Sequence, residues 1–199
     1  MRRKILDCAD GPASFNAEAT LRGSQVVSCD PLYRFDGEQI RRQIDATFPE
    51  VMEQTRRNAA QFVWNDIPSI EELKRFRRIA MHAFLADYDQ GMLQGRYVEA
   101  QLPTLPFADA SFDLALCSHF LFLYTDQLSK SFHVRAIMEM CRVATEVRGF
   151  PLVALDALPS RYTDSVSAQL RQGGFGVSVE RVPYEFQRGG NQMMRIRSR

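Results

Sequence analysis

Two carboxylates set just beyond two apolar runs are the residues of this chain best suited to hold a ligand. Lys4-Ile5-Leu6-Asp7-Cys8-Ala9-Asp10-Gly11-Pro12 is an apolar run that ends in a carboxylate and a turn of small residues. Val26-Val27-Ser28-Cys29-Asp30 is a second apolar run with a carboxylate at its end. A small-residue turn lets backbone approach a ligand closely, and a carboxylate after the next strand can accept hydrogen bonds from both hydroxyls of a ribose. The pattern points to a crevice for an adenosine-containing molecule. Asp7 has a second reading, as the cap of the turn that follows it.

His119 is the residue best suited to proton chemistry, because an imidazole changes charge near neutral pH. Its alternatives are packing against a ligand and a purely structural role. Cys8, Cys29 and Cys117 are expected at the ends of neighbouring strands, and with His119 they make up a zinc-like set of donors. Strands lie about 4.8 Å apart, so the outer pair would be wide for one metal. The preferred reading is buried small hydrophobes and no metal. With Cys141 they total four cysteines, none in a C-x-x-C pair, and free thiols are expected.

The elements that must position these residues alternate. Ile5-Leu6 and Val26-Val27 read as short buried strands of a parallel sheet, with a helix from Ser14 to Arg22 stopped by Gly23. The next strand-like segment, Arg96 to Ala100, comes about 65 residues after Asp30, more than one crossover helix needs. Two helical patterns fill the gap. One runs through Ile40, Ile44, Phe48 and Val51; the other follows a capping box at Ser69-Ile70-Glu71-Glu72. Residues 36–95 are therefore expected to be a helical insertion that forms a lid beside the strand-two end of the crevice, with Tyr33, Phe35 and Trp64 in the pocket wall; the alternative is that its two helices only thicken one face of the sheet.

The second half reads as strand Phe112 to Cys117, helix Leu128 to Thr145, strand Leu152 to Leu155 and helix Asp164 to Gln172. Two final strands, Val177 to Phe186 and Gln192 to Arg197, should form an antiparallel hairpin around a short Arg188-Gly189-Gly190-Asn191 turn.

Composition narrows the class. The chain has 199 residues, 45% of them hydrophobic, which fits one domain with a sizeable core. A net charge of +1 favours neither nucleic acid nor an anionic membrane. The pairs Arg41-Arg42, Arg56-Arg57 and Arg77-Arg78 read as solvated helix faces balanced by Glu38, Glu53 and Glu71 at i,i+4 spacing to Arg42, Arg57 and Arg75. No apolar run is long enough to span a bilayer and no secretory signal is read, so a cytoplasmic setting is expected. The first strand is expected almost at Met1, which implies a chain short at that end.

A third segment carries a resemblance. Leu105-Pro106-Phe107, small and acidic residues, then Phe112-Asp113-Leu114 resembles the signature after the third strand of class I S-adenosylmethionine-dependent methyltransferases. Glu139-Met140-Cys141-Arg142-Val143 resembles the helix after the fourth strand of that family. Asp30-Pro31-Leu32-Tyr33 and Cys117-Ser118-His119-Phe120-Leu121-Phe122-Leu123-Tyr124 resemble an uncharacterised bacterial branch of it.

The resemblance implies a Rossmann-like class I methyltransferase fold. It is an α/β architecture with a mostly parallel seven-stranded sheet, a C-terminal antiparallel hairpin and helices on both faces. It implies S-adenosylmethionine as cofactor and a small-molecule methyl acceptor. Asp7, Cys8, Ala9 and Gly11 would hold the methionine portion, with alanine at a position where the family usually has glycine. Asp30 would bind the ribose, Pro31 and Leu32 would flank the adenine, and Gln101 and Leu102 would meet the adenine edge. Ser118 and His119 would face the sulfonium. The alternatives are a binding protein that keeps the fold without catalysis and a nicotinamide dehydrogenase. The latter is disfavoured because no G-x-G-x-x-G follows the first strand.

Overall fold

A computed structural model describes residues 3–197. The order is β1 (Lys4–Cys8), α1 (Phe15–Leu21), β2 (Gln25–Cys29), α2 (Gly37–Arg57), α3 (Ile70–Leu93), β3 (Tyr97–Val98), β4 (Leu114–Ser118), α4 (Lys130–Val143), β5 (Glu146–Phe150), α5 (Thr163–Gln172), β6 (Gly176–Arg181) and β7 (Gln192–Arg197). The seven strands form one sheet in the order β3-β2-β1-β4-β5-β7-β6. β1 pairs in parallel with β2 and β4, β4 with β5, and β2 with β3; β7 runs antiparallel to β5 and β6. The class expected from the sequence is the one observed.

The topology places the site. Right-handed crossovers from β1 to β2 and from β4 to β5 step in opposite directions, so α1 and α4 lie on opposite faces of the sheet. The chain switches direction at the boundary between β1 and β4, where their C-terminal ends leave a crevice. Leu6, Cys8 and Ala115 have no exposed surface, which suits strands covered on both faces.

α2 and α3 occupy the segment expected to be helical. Both begin with real caps. Asp36 and Gln39 form a reciprocal capping box at α2, and Ser69 accepts the Glu72 N–H at α3. α3 packs against α1 as well as α2 and leads directly into β3. Gly91 lets it do so: a Cβ there would sit 2.3 Å from the Tyr97 ring. Arg96 makes a two-toothed pair with Asp87 of α3 at 2.6 and 2.7 Å and also donates to Asn16 Oδ1 at 2.7 Å.

Three sequence expectations need correction. The strand expected at Leu152–Leu155 is Glu146–Phe150 instead. Its charges disguised it. Glu146 is buried, and although burial alone pushes its carboxyl up, Arg148 and Arg195 hold it below the usual range, with Arg197 also bonded at 2.9 Å. Leu152, Val153 and Ala154 are buried in irregular backbone. Second, the connection between β6 and β7 is not a four-residue turn but residues 182–191. It reaches across to the α2–α3 connection, where Val63 N–H donates to Phe186 O at 2.7 Å and Arg188 N–H to Gln61 O at 2.8 Å. Third, Arg75 pairs with Glu72 at i,i+3 and not with Glu71.

The Leu105-Pro106-Phe107 segment owes its shape to α4. Glu139 accepts the Leu105 N–H at 2.7 Å, and Arg142 donates to the carbonyls of Leu105 and Phe107 and to Asp109. The two sequence signatures of the resemblance are thus one clamp.

Candidate functional site

The turn after β1 is held from three sides. Ala9 N–H donates to Cys29 O at 2.8 Å. Gly11 N–H donates to Asp30 Oδ2 at 3.1 Å, and the Tyr33 hydroxyl donates to Gly11 O at 2.8 Å. Ala9 and Gly11 both have positive φ, 57° and 61°. That backbone explains the small residues: glycine adopts it freely, and alanine at Ala9 does so at a cost of about 1–2 kcal/mol.

Asp30 is a cap as well as a site residue. Its Oδ1 accepts the Leu32 N–H at 2.7 Å, which starts the 3-10 turn Pro31–Arg34. A carboxylate offers about four acceptor positions, so two remain for a ligand. Burial raises its pKa, opposed by the Leu32 and Gly11 N–H groups.

Behind the turn sit two more carboxyls. Burial pushes Asp7 well above the usual carboxylate range, and Asp10 and Cys29 push it further. Its Oδ1 is buried without a hydrogen-bond partner among the described residues. Asp10 is pushed up to about 6, chiefly by burial, against the Ser28 hydroxyl that donates to it at 2.6 Å. Ser28 in turn accepts from the fully buried Asn16 amide at 3.1 Å. A polar chain therefore runs from the Arg96–Asp87 pair through Asn16 and Ser28 into the turn.

A cleft of about 740 Å³ opens at the C-terminal ends of β1, β2 and β4, within the size range of small-molecule sites. Ala9, Asp30, Pro31, Gln101, Leu102 and His119 line it, with Phe120, Phe132 and Arg135 closing the far wall. Among the described residues no protein acceptor meets the Leu102 N–H. The remaining sequence candidates lie outside this lining. Asp7 and Cys8 are buried beneath it, the Gly11 N–H faces Asp30, and Ser118 stands beside His119. The Leu32 side chain packs on the Tyr33, Phe84, Tyr88 and Tyr97 cluster and faces an outer groove.

A second cleft of about 690 Å³ meets the first at His119 and Tyr124, which line both. α2 and α3 form one wall, and Tyr184, Phe186 and Gln187 of the long β6–β7 connection form another. Of the three aromatics expected in the pocket wall, Tyr33 is buried in its own cluster and Phe35 faces the outer groove. Trp64 stands behind the second cleft, edge-on to Phe62 and Phe186.

His119 sits in strained left-handed backbone, φ 56°, pinned by its N–H to Phe150 O at 2.6 Å. Its Nδ1 is 2.7 Å from Ser118 Oγ. Partial burial at the mouth of the cleft, followed by the Arg77 charge, lowers its pKa and so favours the neutral ring. The buried His133 holds the following loop, its ring nitrogens each 2.8 Å from the carbonyls of Ser129 and Leu121. Cys8, Cys29 and Cys117 are free and buried, and no metal-binding cluster exists among the described residues. No described helix is long and apolar enough to cross a membrane.

Sequence reasoning missed Arg77, Phe62, Tyr184 and Phe186. In sequence the Arg77-Arg78 pair reads as one solvated face, yet a helical turn sends neighbours about 100° apart. Arg78 lies over the Phe48 ring, while Arg77 lines the second cleft.

Sheet order, hairpin and crevice define the class I methyltransferase fold, and solved structures agree. Magnesium protoporphyrin IX methyltransferase (ChlM) from Synechocystis PCC 6803 with bound SAM aligns at TM-score 0.53 and 10% identity, over 99% of this chain and 71% of that one. A SAM-dependent methyltransferase from Methanosarcina mazei aligns at TM-score 0.50 and 14% identity, over 98% and 91%. At such identities the likeness concerns the fold alone. By sequence the chain is 31% identical over 199 residues to "Uncharacterized protein MJ0045" of Methanocaldococcus jannaschii, covering 99% of this chain and 86% of that protein. It belongs to the same family. That relative is archaeal, so the expected restriction to a bacterial branch is not supported. No family model matches the chain.

Proposed function

We propose that the protein transfers a methyl group from S-adenosylmethionine to a small-molecule acceptor. One observation carries the reading: Ala9 of the turn after β1, Asp30, Gln101 and Leu102 line one cleft at the sheet's switch point, and that cleft meets a second at His119. The residues fit the cofactor. Asp30 has two acceptor positions left for ribose hydroxyls. Gln101 and the Leu102 amide can meet a purine edge, and Pro31 packs its face. The turn offers closely approachable backbone to the amino-acid end, with the orphaned Asp7 Oδ1 behind it.

Bound S-adenosylmethionine would supply an electrophilic methyl group. The chain's task is to orient the acceptor and keep water out, which suffices for much of the rate. Where the acceptor carries a proton, neutral His119 at the junction takes it, in the tautomer whose Nδ1, 2.7 Å from Ser118 Oγ, carries the hydrogen and leaves Nε2 as the base. A cytoplasmic enzyme acting on a small molecule fits the modest net charge.

Thermal unfolding with S-adenosylhomocysteine or NAD tests this. The first should raise the unfolding temperature by mass action and the second should not. No shift with millimolar S-adenosylhomocysteine would refute the reading.

A further inference from the structure

The second cleft has a one-sided charge. Among its described lining residues there is no aspartate or glutamate, and the single permanent charge is Arg77. Arg77 has no carboxylate partner among the described residues; its side chain donates to Met52 Sδ at 4.0 Å. Of the other arginines of α2 and α3, Arg41, Arg42, Arg56, Arg57 and Arg75 each face a glutamate and Arg78 lies over the Phe48 ring, away from this cleft. Burial already penalises the Arg77 charge, and Tyr184 is the group that offsets it; Asp66 lies on the Tyr184 side. A half-buried guanidinium without a counter-ion, facing a cleft, is a site for an anion.

The rest of the wall sets the shape. Phe62 and Phe186 stack at 4.9 Å with planes 25° apart, and Phe76, Tyr124 and Tyr184 add flat surface. Such walls favour a planar apolar body. The cleft meets the proposed cofactor cleft at His119, so an occupant anchored by Arg77 would point its other end at the junction.

We infer that the second cleft takes a planar aromatic acceptor bearing a carboxylate or equivalent anion, with Arg77 as the residue that fixes the anion and so sets specificity. This rests on the reading of the cleft as the acceptor side of a methyltransferase, and its test is a binding measurement that does not need turnover.

The probes are 2-naphthoate and its neutral analogue 2-naphthamide, titrated by calorimetry into the intact protein with and without S-adenosylhomocysteine. The wild type should bind the carboxylate about tenfold or more tightly than the amide. Arg77→Gln should abolish that preference and Arg77→Lys should keep part of it. Both variants should bind S-adenosylhomocysteine within about twofold of wild type. Equal binding of the two probes, no binding of naphthoate, or a preference that survives Arg77→Gln overturns the inference. The wild-type comparison of carboxylate with amide stands even if a variant does not fold. Failure of S-adenosylhomocysteine to bind, with the carboxylate preference intact, would strike the cofactor reading and leave the anion anchor standing.

Discussion

Asp30 grips the turn it faces: its carboxylate accepts the Gly11 N–H at 3.1 Å across 19 residues of chain, while its other oxygen starts the next turn at Leu32. The residue therefore ties the turn after β1 to the end of β2 and lines the cleft at the C-terminal ends of the strands. One side chain thus caps a turn and lines the cleft. Removing it should cost about 1 kcal/mol of stability through the lost cap, in addition to any loss of binding.

Ala9→Gly should stabilise the protein. Ala9 holds φ 57°, and relieving its Cβ clash is worth about 1 kcal/mol. For a domain of this size that is about 2–4 °C in unfolding temperature. Calorimetric scans check it; an unchanged or lower temperature would mean that the alanine methyl packs usefully.

His119→Gly should also raise the unfolding temperature, because the ring is exposed and its backbone is strained at φ 56°. A stabilised variant would show that the strain is kept for the site and not for the fold. A clear loss of stability would make His119 structural.

Stability should depend on Asp10. Its carboxyl titrates near 6 in the folded protein and near 3.8 ordinarily, so the folded state holds the proton between those values. The resulting stability is complete below about pH 4 and is lost as pH rises through about 6. Asp10→Asn should therefore gain on wild type by about 2–3 kcal/mol between pH 4 and pH 8. Denaturant unfolding at the two pH values measures it; a constant difference contradicts the assignment.

Asn16→Ala should destabilise by about 1–3 kcal/mol, because it strips partners from Ser28 and from the guanidinium and carbonyl of Arg96 in a site with no exposed surface. A loss below about 0.5 kcal/mol would mean that water replaces the amide.

The sheet and its crevice were legible because they depend on local signals: apolar strands, small-residue turns and carboxylates at strand ends. Asp30, Ala9, Gln101, Leu102 and His119 are spread over 111 positions yet meet at one cleft, since each follows a neighbouring strand. β5 was not legible, because Glu146 and Arg148 hide a strand whose charges are paired only in three dimensions. The second cleft was hidden for a similar reason. Its walls come from α2, α3 and the β6–β7 connection, whose contacts span more than 120 residues. Nothing in the Arg77-Arg78 dipeptide says which arginine turns inward.

The central claim is that the cleft lined by Ala9, Asp30, Gln101 and Leu102 binds S-adenosylmethionine. Titration calorimetry of S-adenosylhomocysteine into wild type, Asp30→Asn and Asp30→Ala tests it most directly. Binding to wild type is predicted, weakened by about 1–3 kcal/mol in Asp30→Ala, with a smaller loss in Asp30→Asn. Equal affinity in all three folded proteins, or no binding to wild type, would contradict it.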